Sequence, residues 1–505
     1  MSQAPASPLD LEASELSDAL DTPTTEVTPP DMASGQGEKD VIKKKAMLGG
    51  LWTVGAYGFS QSVRFGSNIV LAWVIAPEIF GLMGLVTIVL AGLQMFSDIG
   101  IGPAIIQNKR EDDAFVNTAF TMQALRGFVL WGAAALLAWP LSQVLDPQLA
   151  IVLPIVSVQA MILGFQSTNW FTANRNLAVK WMMLVDLSAI AVQSAVMISY
   201  AYLIEASVWA LVAGVIAYAL VRGAGSHFLP GTKNRFGWDV AAAASLFHFG
   251  KWLFFSTVLT FSAAYFDKLL LRNWTTAATF GVFWVGYQLA NLGPELAFKL
   301  GSMVGFPALA EVFRTRPHDL NKELHRVRKV LLLPVTGILL CLMLFGPALF
   351  YMVYKPSFWG AGWIVQALAI NSLAGQLNTT YSHAYIASGK TLYNLITVAA
   401  QTIIVFASVT LGYTLGPYLG VDPDTGFILG LAGSQFAKYP VDAILCSRIG
   451  VHQWKWDLKL LACSTALSIG LLALSLAVTP LTIDLGIALH VWFDQITASW
   501  NGGTP

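Results

Sequence analysis

Residues 64–113 read RFGSNIVLAWVIAPEIFGLMGLVTIVLAGLQMFSDIGIGPAIIQNKREDD and contain two long apolar runs separated by Ala76-Pro77-Glu78. Each run has about the 20 residues that an α-helix needs to cross a bilayer. Arg64 lies within the first run, where a cavity lined by protein would tolerate its charge and lipid would not. The stretch therefore predicts a helical hairpin in a membrane, with a polar cavity beside its first helix.

The overall composition also predicts a polytopic membrane protein. Of the 505 residues, 55% are hydrophobic and 11% are charged, whereas soluble proteins have about 25% charged residues. The net charge at pH 7 is zero, which leaves no electrostatic argument for a nucleic-acid partner. Cys341, Cys446 and Cys463 lack metal-binding spacing, so we expect buried thiols, no metal and no other cofactor.

A polar tail precedes the apolar segments. Residues 1–44 are rich in Pro, Ser, Thr and acidic residues and contain no aromatic residue, so we expect a disordered cytoplasmic tail. The weaker segment 481–500 near the other end is either a fourteenth span or an interfacial helix. Hydropathy places thirteen spans near 46–76, 80–107, 117–139, 148–168, 181–203, 207–225, 246–265, 279–306, 330–352, 361–387, 391–415, 425–447 and 459–478.

Lys and Arg are distributed unevenly between the two predicted sides of the membrane. With the amino terminus in the cytoplasm, most of the 29 Lys and Arg residues fall in inner loops. The outer loops then hold only Lys268, Arg272 and Lys355. Since cytoplasmic loops of membrane proteins carry an excess of positive charge, this distribution predicts a cytoplasmic amino terminus.

Short internal echoes divide the chain into two similar halves. Ile79-Phe80-Gly81 aligns with Thr279-Phe280-Gly281, and Gly164–Trp170 resembles Gly375–Tyr381. Because each half has an even number of spans, the repeats would run parallel, related by an axis along the membrane normal. We expect an all-α polytopic membrane protein with two six-helix lobes related by a pseudo-two-fold axis, plus one or two extra carboxy-terminal helices. The predicted units are 1–44 (tail), 45–225 (amino-terminal lobe, spans 1–6), 226–245 (cytoplasmic linker), 246–447 (carboxy-terminal lobe, spans 7–12) and 448–505 (span 13 with a tail or span 14).

Polar side chains inside the spans indicate where a cavity would lie, because an unsatisfied polar group is costly in hydrocarbon. They recur at three- and four-residue spacing in spans one, eight and ten, which places each set on one helix face. The three stripes are Tyr57, Ser60, Gln61, Arg64 and Asn68; Gln288, Asn291, Glu295, Lys299 and Ser302; and Ser372, Gln376, Thr379 and His383.

The charged residues inside the spans fall into two groups. Glu295–Lys299 and Lys438–Asp442 lie one helical turn apart, so an intrahelical ion pair and a functional role both stay open. Arg64 and Arg126 have no acidic residue one turn away, which favours an accessible anion site.

Six strings carry a family resemblance: Pro77–Leu82, Phe96–Gln107, Asn117–Phe120, Phe266–Leu271, Gly286–Asn291 and Phe306–Leu309. They resemble the polysaccharide-repeat-unit flippases of the Wzx type. These belong to the polysaccharide transporter family of the multidrug/oligosaccharidyl-lipid/polysaccharide exporter superfamily. The resemblance covers about 46–450, and within the family the chain looks most like exporters of the colanic-acid or other exopolysaccharide type.

This resemblance implies a transporter and no enzymatic activity. Its cargo would be a polyprenyl-pyrophosphate-linked oligosaccharide, moved from the cytoplasmic to the periplasmic leaflet of a bacterial inner membrane by alternating access. The process served would be exopolysaccharide or O-antigen biosynthesis. The implied partners are the lipid-linked oligosaccharide, membrane lipids, a proton or sodium ion for coupling, and polymerase and chain-length proteins.

On this hypothesis the polar residues of the spans take three roles. Cationic side chains bind the pyrophosphate, which suits a fixed guanidinium: Arg64, Arg126 and Lys251. Amide side chains form hydrogen bonds with the sugars: Gln61, Gln288, Asn291, Gln376 and Asn378. A carboxylate couples transport to the ion: Glu295, Asp267 or Asp442.

Other classes of membrane protein should show different sequence features. A drug or cation antiporter of the same fold should carry a carboxylate inside the amino-terminal lobe, where this sequence shows arginine instead. A membrane polymerase or ligase that acts on lipid-linked sugars should have a large external loop, and every predicted external loop is short. A flippase for the peptidoglycan precursor fits the quoted strings less well.

Overall fold

The first predicted hairpin is helical on both sides of Ala76. In the computed structural model, helix α1 covers 55–74 and helix α2 covers Pro77–Phe96. Pro77 occupies the first turn of α2, where its missing N–H removes no helical hydrogen bond. The structure describes residues 52, 55–98, 101–102, 105, 112–175, 179–231, 233–301, 306–315, 320–451 and 453–500, which all belong to one unit, Trp52–Pro505. The predicted tail, 1–44, lies outside them.

The other helices follow the predicted spans closely. In the first half they are α3 (Asp113–Val144), α4 (Leu149–Val156), α5 (Val158–Gly164), α6 (Asn169–Arg175), α7 (Val179–Leu203) and α8 (Val208–Ser226). In the second half they are α9 (Val240–Trp274), α10 (Ala277–Ala290), α11 (Leu292–Leu300), α12 (Phe306–Thr315), α13 (Leu320–Val353), α14 (Ala361–Ala387), α15 (Thr391–Leu415), α16 (Pro423–Ser447) and α17 (Trp454–Trp500), with short 3₁₀ turns at Pro356–Phe358 and Gly416–Leu419.

Seven of the described helices are long and apolar enough to cross a membrane: α2, α3, α7, α8, α13, α15 and α17. The described residues contain no β-strand, so the predicted all-α, multi-pass membrane fold is confirmed. The other predicted spans are helical too. Two of them are interrupted, at Ser157 between α4 and α5 and at Asn291 between α10 and α11.

The carboxy-terminal segment differs from both alternatives left open by the sequence. Residues 481–500 continue the thirteenth predicted span as one helix, α17, of 47 residues. At 1.5 Å per residue such a helix is about 70 Å long, more than a bilayer with its headgroups. α17 lies beside α13 and runs parallel to it, because Asp457 contacts Arg328 near both helix starts and Gly486 packs against the Tyr351 carbonyl near the end of α13.

Helices α2 and α10 approach each other closely at their first turns. A Cβ atom added to Gly281 would lie 1.8 Å from the Pro77 carbonyl oxygen, and one added to Gly81 would lie 3.0 Å from the Gly281 nitrogen. These two glycines belong to the strings that the sequence aligns with each other. Their mutual contact is what a two-fold axis between the halves would produce, although the axis itself stays a prediction.

The two segments of the second sequence echo, Gly164–Trp170 and Gly375–Tyr381, have different structures. Residues 165–168 form a non-helical break between α5 and α6, whereas Gly375–Tyr381 lie within the continuous helix α14. The break is held by the linker between the halves, since Ser167 donates to the Asn234 side chain at 2.5 Å and Asn169 donates to the Leu229 carbonyl at 3.2 Å.

The range predicted for the linker, 226–245, includes the end of α8 and the start of α9. α8 ends at Ser226 and α9 begins at Val240, which leaves 227–239 outside the helices. The expectation of three buried cysteines is also corrected. Only Cys446 is buried, while Cys341 and Cys463 are exposed.

Candidate functional site

A polar cavity of about 580 Å³ lies among α1, α7 and the pair α10–α11. This volume falls within the range of small-molecule sites in proteins. Aromatic and aliphatic side chains contribute part of its wall, including Phe80, Trp284 and Tyr354. Its polar lining residues include Tyr57, Ser60, Gln61, Arg64, Ser67, Asn68, Asp186, Gln193, Ser194, Gln288, Asn291, Glu295 and Lys299.

Two of the predicted stripes form opposite walls of this cavity. The five stripe residues of α1, from Tyr57 to Asn68, all line it. Four stripe residues of α10–α11 face them, from Gln288 to Lys299, and the fifth, Ser302, lies outside the described residues. The prediction of a polar face on each of these two helices is therefore confirmed, and the faces belong to the same cavity.

Glu295 is the point where the two walls meet. Its Oε2 accepts a hydrogen bond from the Tyr57 hydroxyl at 3.0 Å and one from the Gln61 amide at 3.3 Å, both on α1. Its Oε1 accepts a hydrogen bond from the Asn291 amide at 3.0 Å. Farther along the cavity, the Asn68 amide donates to Gln288 Oε1 at 3.3 Å. Side chains of α1 thus form hydrogen bonds with α10–α11 at two positions along the cavity.

The cavity contains both signs of charge. Arg64 and Lys299 supply the cations, and Glu295 and Asp186 supply the carboxylates. Lys299 Nζ lies 3.6 Å from the centre of the Tyr57 ring. Within the part of the chain that the structure describes, Arg64 forms no ion pair and its side chain is exposed to the cavity. A guanidinium in that setting can bind a phosphate oxygen without first giving up a partner.

Asp186 is a functional candidate that the sequence reasoning missed. It lies on α7 and accepts a hydrogen bond from the Tyr218 hydroxyl at 2.8 Å, while Arg222 Nη1 lies 3.4 Å from the same oxygen. The Arg222 guanidinium in turn stacks over the Trp170 ring at 4.6 Å. The expectation of arginine and no carboxylate inside the amino-terminal half was therefore wrong. The available signal was a single acidic residue in an apolar run.

Arg126 does not line the cavity. Its Nη1 lies 4.0 Å from Asp98 Oδ1, and it donates to the Ser97 hydroxyl at 3.0 Å and the Gln94 carbonyl at 2.8 Å. The sequence search for an acidic partner considered only the helix that carries Arg126, whereas Asp98 follows α2. The third predicted cation, Lys251, lies on α9, but its side chain is outside the described part of the chain.

Two predicted sugar ligands on α14 lie away from the cavity. Gln376 and Asn378 are 4% and 1% exposed. Gln376 donates to the Thr336 hydroxyl of α13 at 2.8 Å, and Asn378 donates to the Gln435 side chain of α16 at 3.0 Å. These amides connect α14 to its neighbours, so α14 packs against α13 at Gln376 and against α16 at Asn378.

Two of the three candidate coupling carboxylates are already paired with lysine. Asp267 Oδ1 lies 3.2 Å from Lys268 Nζ, and both side chains are buried. Asp442 Oδ2 lies 3.4 Å from Lys438 Nζ one helical turn away, so of the two alternatives left open for these residues the structure shows the intrahelical ion pair. Neither carboxylate lines the cavity, so Glu295 is the one candidate of the three that does.

A membrane-crossing helical bundle around a polar cavity is the architecture of a transporter. Residues 70–361, more than half of the chain, match the family model described as polysaccharide biosynthesis protein. The chain belongs to this family. The family resemblance seen in the sequence is thereby confirmed, and the protein is a multi-pass membrane transporter of polysaccharide biosynthesis.

Individual relatives and structures agree with this assignment. The chain is 22% identical over 400 residues to the lipopolysaccharide biosynthesis protein WzxC of Escherichia coli (strain K12), covering 77% of this chain and 79% of the relative. It is 22% identical over 329 residues to the succinoglycan biosynthesis transport protein ExoT of Rhizobium meliloti (strain 1021), covering 63% of this chain and 64% of ExoT.

Solved structures share the fold at low sequence identity. The inward closed conformation of the lipid II flippase MurJ superposes with a TM-score of 0.63 at 13% identity, covering 89% of this chain and 99% of MurJ. An inward-facing multidrug resistance transporter of the MATE family, in the MOP superfamily, has a TM-score of 0.59 at 12% identity, covering 77% and 95%. These likenesses establish the fold.

Proposed function

We propose that this protein carries polyprenyl-pyrophosphate-linked oligosaccharide repeat units across the bacterial inner membrane by alternating access. The product would serve exopolysaccharide or O-antigen biosynthesis, and the amino terminus would lie in the cytoplasm. The observation that carries the proposal is Arg64, an exposed guanidinium with no ion pair among the described residues, inside a polar cavity lined by helices from both halves of the chain. Membership in the polysaccharide biosynthesis family supports the choice of cargo.

The cavity offers distinct surfaces to the two parts of the cargo. Arg64, with Lys299 across the cavity, would bind the pyrophosphate, because a charge-assisted contact to phosphate is stronger than a neutral hydrogen bond. Gln61, Gln288 and Asn291 would bind sugar hydroxyls, since each amide both donates and accepts. Arg126, Gln376 and Asn378 have no place in this arrangement, because other protein groups occupy them outside the cavity.

Glu295 is the residue we propose for ion coupling. Its carboxylate lines the cavity and joins α1 to α11, so binding a proton or sodium ion there would change the contacts between the two walls. Asp267 and Asp442 are less suited to this role, since a lysine already neutralises each of them. Transport, and no chemical change of the sugar, is the activity we assign.

Reconstituted vesicles test the proposal directly. A fluorescent polyprenyl-pyrophosphate oligosaccharide is placed in the inner leaflet, and its appearance in the outer leaflet is followed with time. We expect Arg64→Ala to slow flipping about tenfold or more, since hydrogen bonds to charged groups contribute about 1.5–3 kcal/mol. Arg64→Lys, which keeps the charge, should retain part of the rate.

Arg126→Ala is the matched control, because it removes the same side chain from a position outside the cavity. It should leave the flipping rate near that of the unchanged protein once the amounts of folded protein are equalised. An unchanged flipping rate in Arg64→Ala would refute the anion site. An equal loss of flipping rate in Arg64→Ala and Arg126→Ala would refute its location in the cavity.

One observation favours a second function, the export of organic cations. Glu295 and Asp186 give the cavity two carboxylates, which suit a cationic ligand, and a ligand at Asp186 would share it with Arg222. The same vesicles, loaded with a fluorescent organic cation, separate the two functions. Transport of that cation, lost in Asp186→Asn and unaffected by Arg64→Ala, would favour an antiporter over the flippase proposed here.

A further inference from the structure

We propose that the amino-terminal ends of α13 and α17 form a docking surface for the headgroups of anionic phospholipids. Five basic residues on the two helix ends have exposed side chains, and we refer to them as the basic ledge: Lys322, Arg326, Lys329, Lys455 and Lys459. This inference concerns the surrounding bilayer and does not depend on the transported cargo.

The two helix ends are fixed to each other by a buried ion pair. Arg328 Nη1 lies 2.9 Å from Asp457 Oδ1, and neither side chain is exposed at all. Tyr439 of α16 donates to the other Asp457 oxygen at 2.8 Å, and Tyr381 of α14 donates to it as well. The ledge is therefore held on a rigid frame that joins four helices.

A second set of polar contacts fixes the same helix ends. The Gln453 amide donates to the Asn321 carbonyl at 2.8 Å, and a His325 ring nitrogen lies 3.0 Å from Gln453 Oε1. Trp456 packs edge-on against the His325 ring at 5.2 Å. Asn321, His325, Gln453 and Trp456 fill the contact between α13 and α17. The basic side chains of the ledge lie outside these contacts and are exposed, so they remain available to ligands.

The order of residues along α13 matches the order of groups in a phospholipid. Lys322, Arg326 and Lys329 are spaced i, i+4 and i+7, so they share one helix face. The next turn of that face carries Val330 and Leu333, which are 65% and 55% exposed. Cations at the membrane boundary followed by exposed aliphatic side chains fit a phosphate headgroup above its acyl chains.

The helix dipoles of α13 and α17 strengthen this preference for anions, because the two helices are parallel and their amino-terminal ends lie beside each other. The amino-terminal end of each helix carries a partial positive charge from its unpaired N–H groups. The ledge adds five full positive charges to that field. Glu323, in the first turn of α13 and partly exposed, offsets one of them, and Asp457 is buried and neutralised by Arg328. An anionic headgroup is therefore favoured over a zwitterionic one.

Lipid-dependent stability of the purified protein tests the inference. The thermal midpoint in neutral detergent is measured with added phosphatidylglycerol or with added phosphatidylcholine, for the full chain and for Arg326→Gln/Lys329→Gln/Lys459→Gln. We expect phosphatidylglycerol to raise the midpoint of the unchanged protein more than phosphatidylcholine does. Since each basic residue near an anionic surface contributes about fivefold in affinity, the variant should need roughly 100-fold more phosphatidylglycerol.

A matched variant, Lys233→Gln/Arg235→Gln/Lys390→Gln, removes the same number of exposed cations elsewhere. It should keep the response of the unchanged protein. Equal responses of the ledge variant and the control to phosphatidylglycerol would overturn the proposal, as would equal stabilisation of the unchanged protein by the two lipids. Both variants should have similar thermal midpoints with added phosphatidylcholine. A ledge variant with a much lower midpoint than the control in that lipid would mean that the basic residues stabilise the fold itself, which would overturn a role in lipid binding alone.

Discussion

Charged side chains inside the helices follow two patterns that separate ligand binding from packing. Arg64 and Glu295 face the cavity, where their side chains are exposed. Arg328 and Asp457 are fully buried and pair with each other. A buried charge is tolerated when it is paired and hydrogen-bonded, whereas a cavity charge keeps its access to water. The exposure of a charge, and not its presence in a span, therefore identifies the candidate binding residues.

The Arg328–Asp457 pair gives the clearest prediction at the scale of single residues. Asp457→Asn removes the negative charge and leaves Arg328 buried without a counter-ion. Breaking a buried ion pair from one side costs about 3–5 kcal/mol, so we expect the free energy of unfolding to fall by that order. The thermal or denaturant midpoint in detergent or lipid measures it.

Asp484→Asn is the control for this change, since the same helix carries Asp484 at an exposed position. It should leave the midpoint within a degree or two of the unchanged protein, as surface substitutions do. A midpoint for Asp457→Asn that equals that of the control would mean that the pair adds nothing to the attachment of α17.

Local sequence revealed only some of these residues. Arg64 and Glu295 could be found because each interrupts an apolar run and lies among polar residues at helical spacing. Asp186 and Arg222 are on different helices, as are Arg328 and Asp457, so no local spacing connects either pair. The contact between Arg126 and Asp98 is hidden from local spacing for the same reason, because Asp98 follows another helix. Pairing between helices depends on their packing, which one sequence does not specify.

At the scale of helices, the length of each apolar run predicted that a helix exists, and where, better than it predicted whether that helix is continuous. α14 and α15 have the predicted bounds, and most other helices begin or end within several residues of them. The break at Asn291 was not predicted, because both sides of it are apolar enough to continue one span. The unbroken helix through Pro480 was not predicted either, since the polar residues after it lower the hydropathy.

The contact between α2 and α10 makes Gly281 sensitive to a single added carbon. In Gly281→Ala the new Cβ would overlap the Pro77 carbonyl oxygen at 1.8 Å, so the two helices would have to separate. We expect a lower thermal midpoint and slower flipping in the vesicle assay, with a stability loss of about 1–3 kcal/mol, as overpacked sites show.

Gly132→Ala on α3 provides the comparison, because nothing lies within 4 Å of the Cβ position there. Alanine favours helix over glycine, so this variant should be as stable as the unchanged protein or slightly more so. Equal midpoints for the two variants would show that α2 and α10 are not closely packed in the membrane.

At the scale of the whole molecule, the cavity is bounded by contacts of different kinds at its two ends. Near the start of α1, hydrogen bonds from Tyr57 and Gln61 reach Glu295. Beyond the other end of α1, backbone packing joins Gly81 and Gly281. The 18 residues of α1 from Tyr57 to Val74 correspond to about 27 Å of helix, close to the thickness of the hydrocarbon core. Alternating access, as proposed, would require the two contacts to open in turn.

An ion pair between the end of α9 and the turn after α3 also joins the two halves of the chain. Arg272 Nη2 lies 3.0 Å from Asp146 Oδ2, and both side chains are 15% exposed. Arg272 lies near the end of α9, five residues before α10 begins, so the ion pair and the glycine contact both join the two halves of the chain near that point. Among the described residues, the end near Tyr57 is held by the hydrogen bonds to Glu295 and by the Lys299 ammonium over the Tyr57 ring. Neutralisation of the Glu295 carboxylate would weaken these hydrogen bonds. We therefore expect the end near Tyr57 to open first.

A reversible cross-link between Tyr57 and Glu295 tests this expectation on the intact protein. In a background with Cys341, Cys446 and Cys463 replaced, Tyr57→Cys/Glu295→Cys is treated with a short cross-linker that a reducing agent cleaves. Glu295→Cys removes the proposed coupling carboxylate, so the flipping rate of this variant before cross-linking, and not that of the unchanged protein, is the reference. Cross-linking should stop the flipping that this variant retains, because α1 and α11 can no longer separate. Cleavage should restore the rate seen before cross-linking, and each single cysteine variant, treated in the same way, should be unaffected by the reagent. Flipping that continues at full rate through the cross-link would show that α1 and α11 stay together during transport, and the pathway would have to open elsewhere.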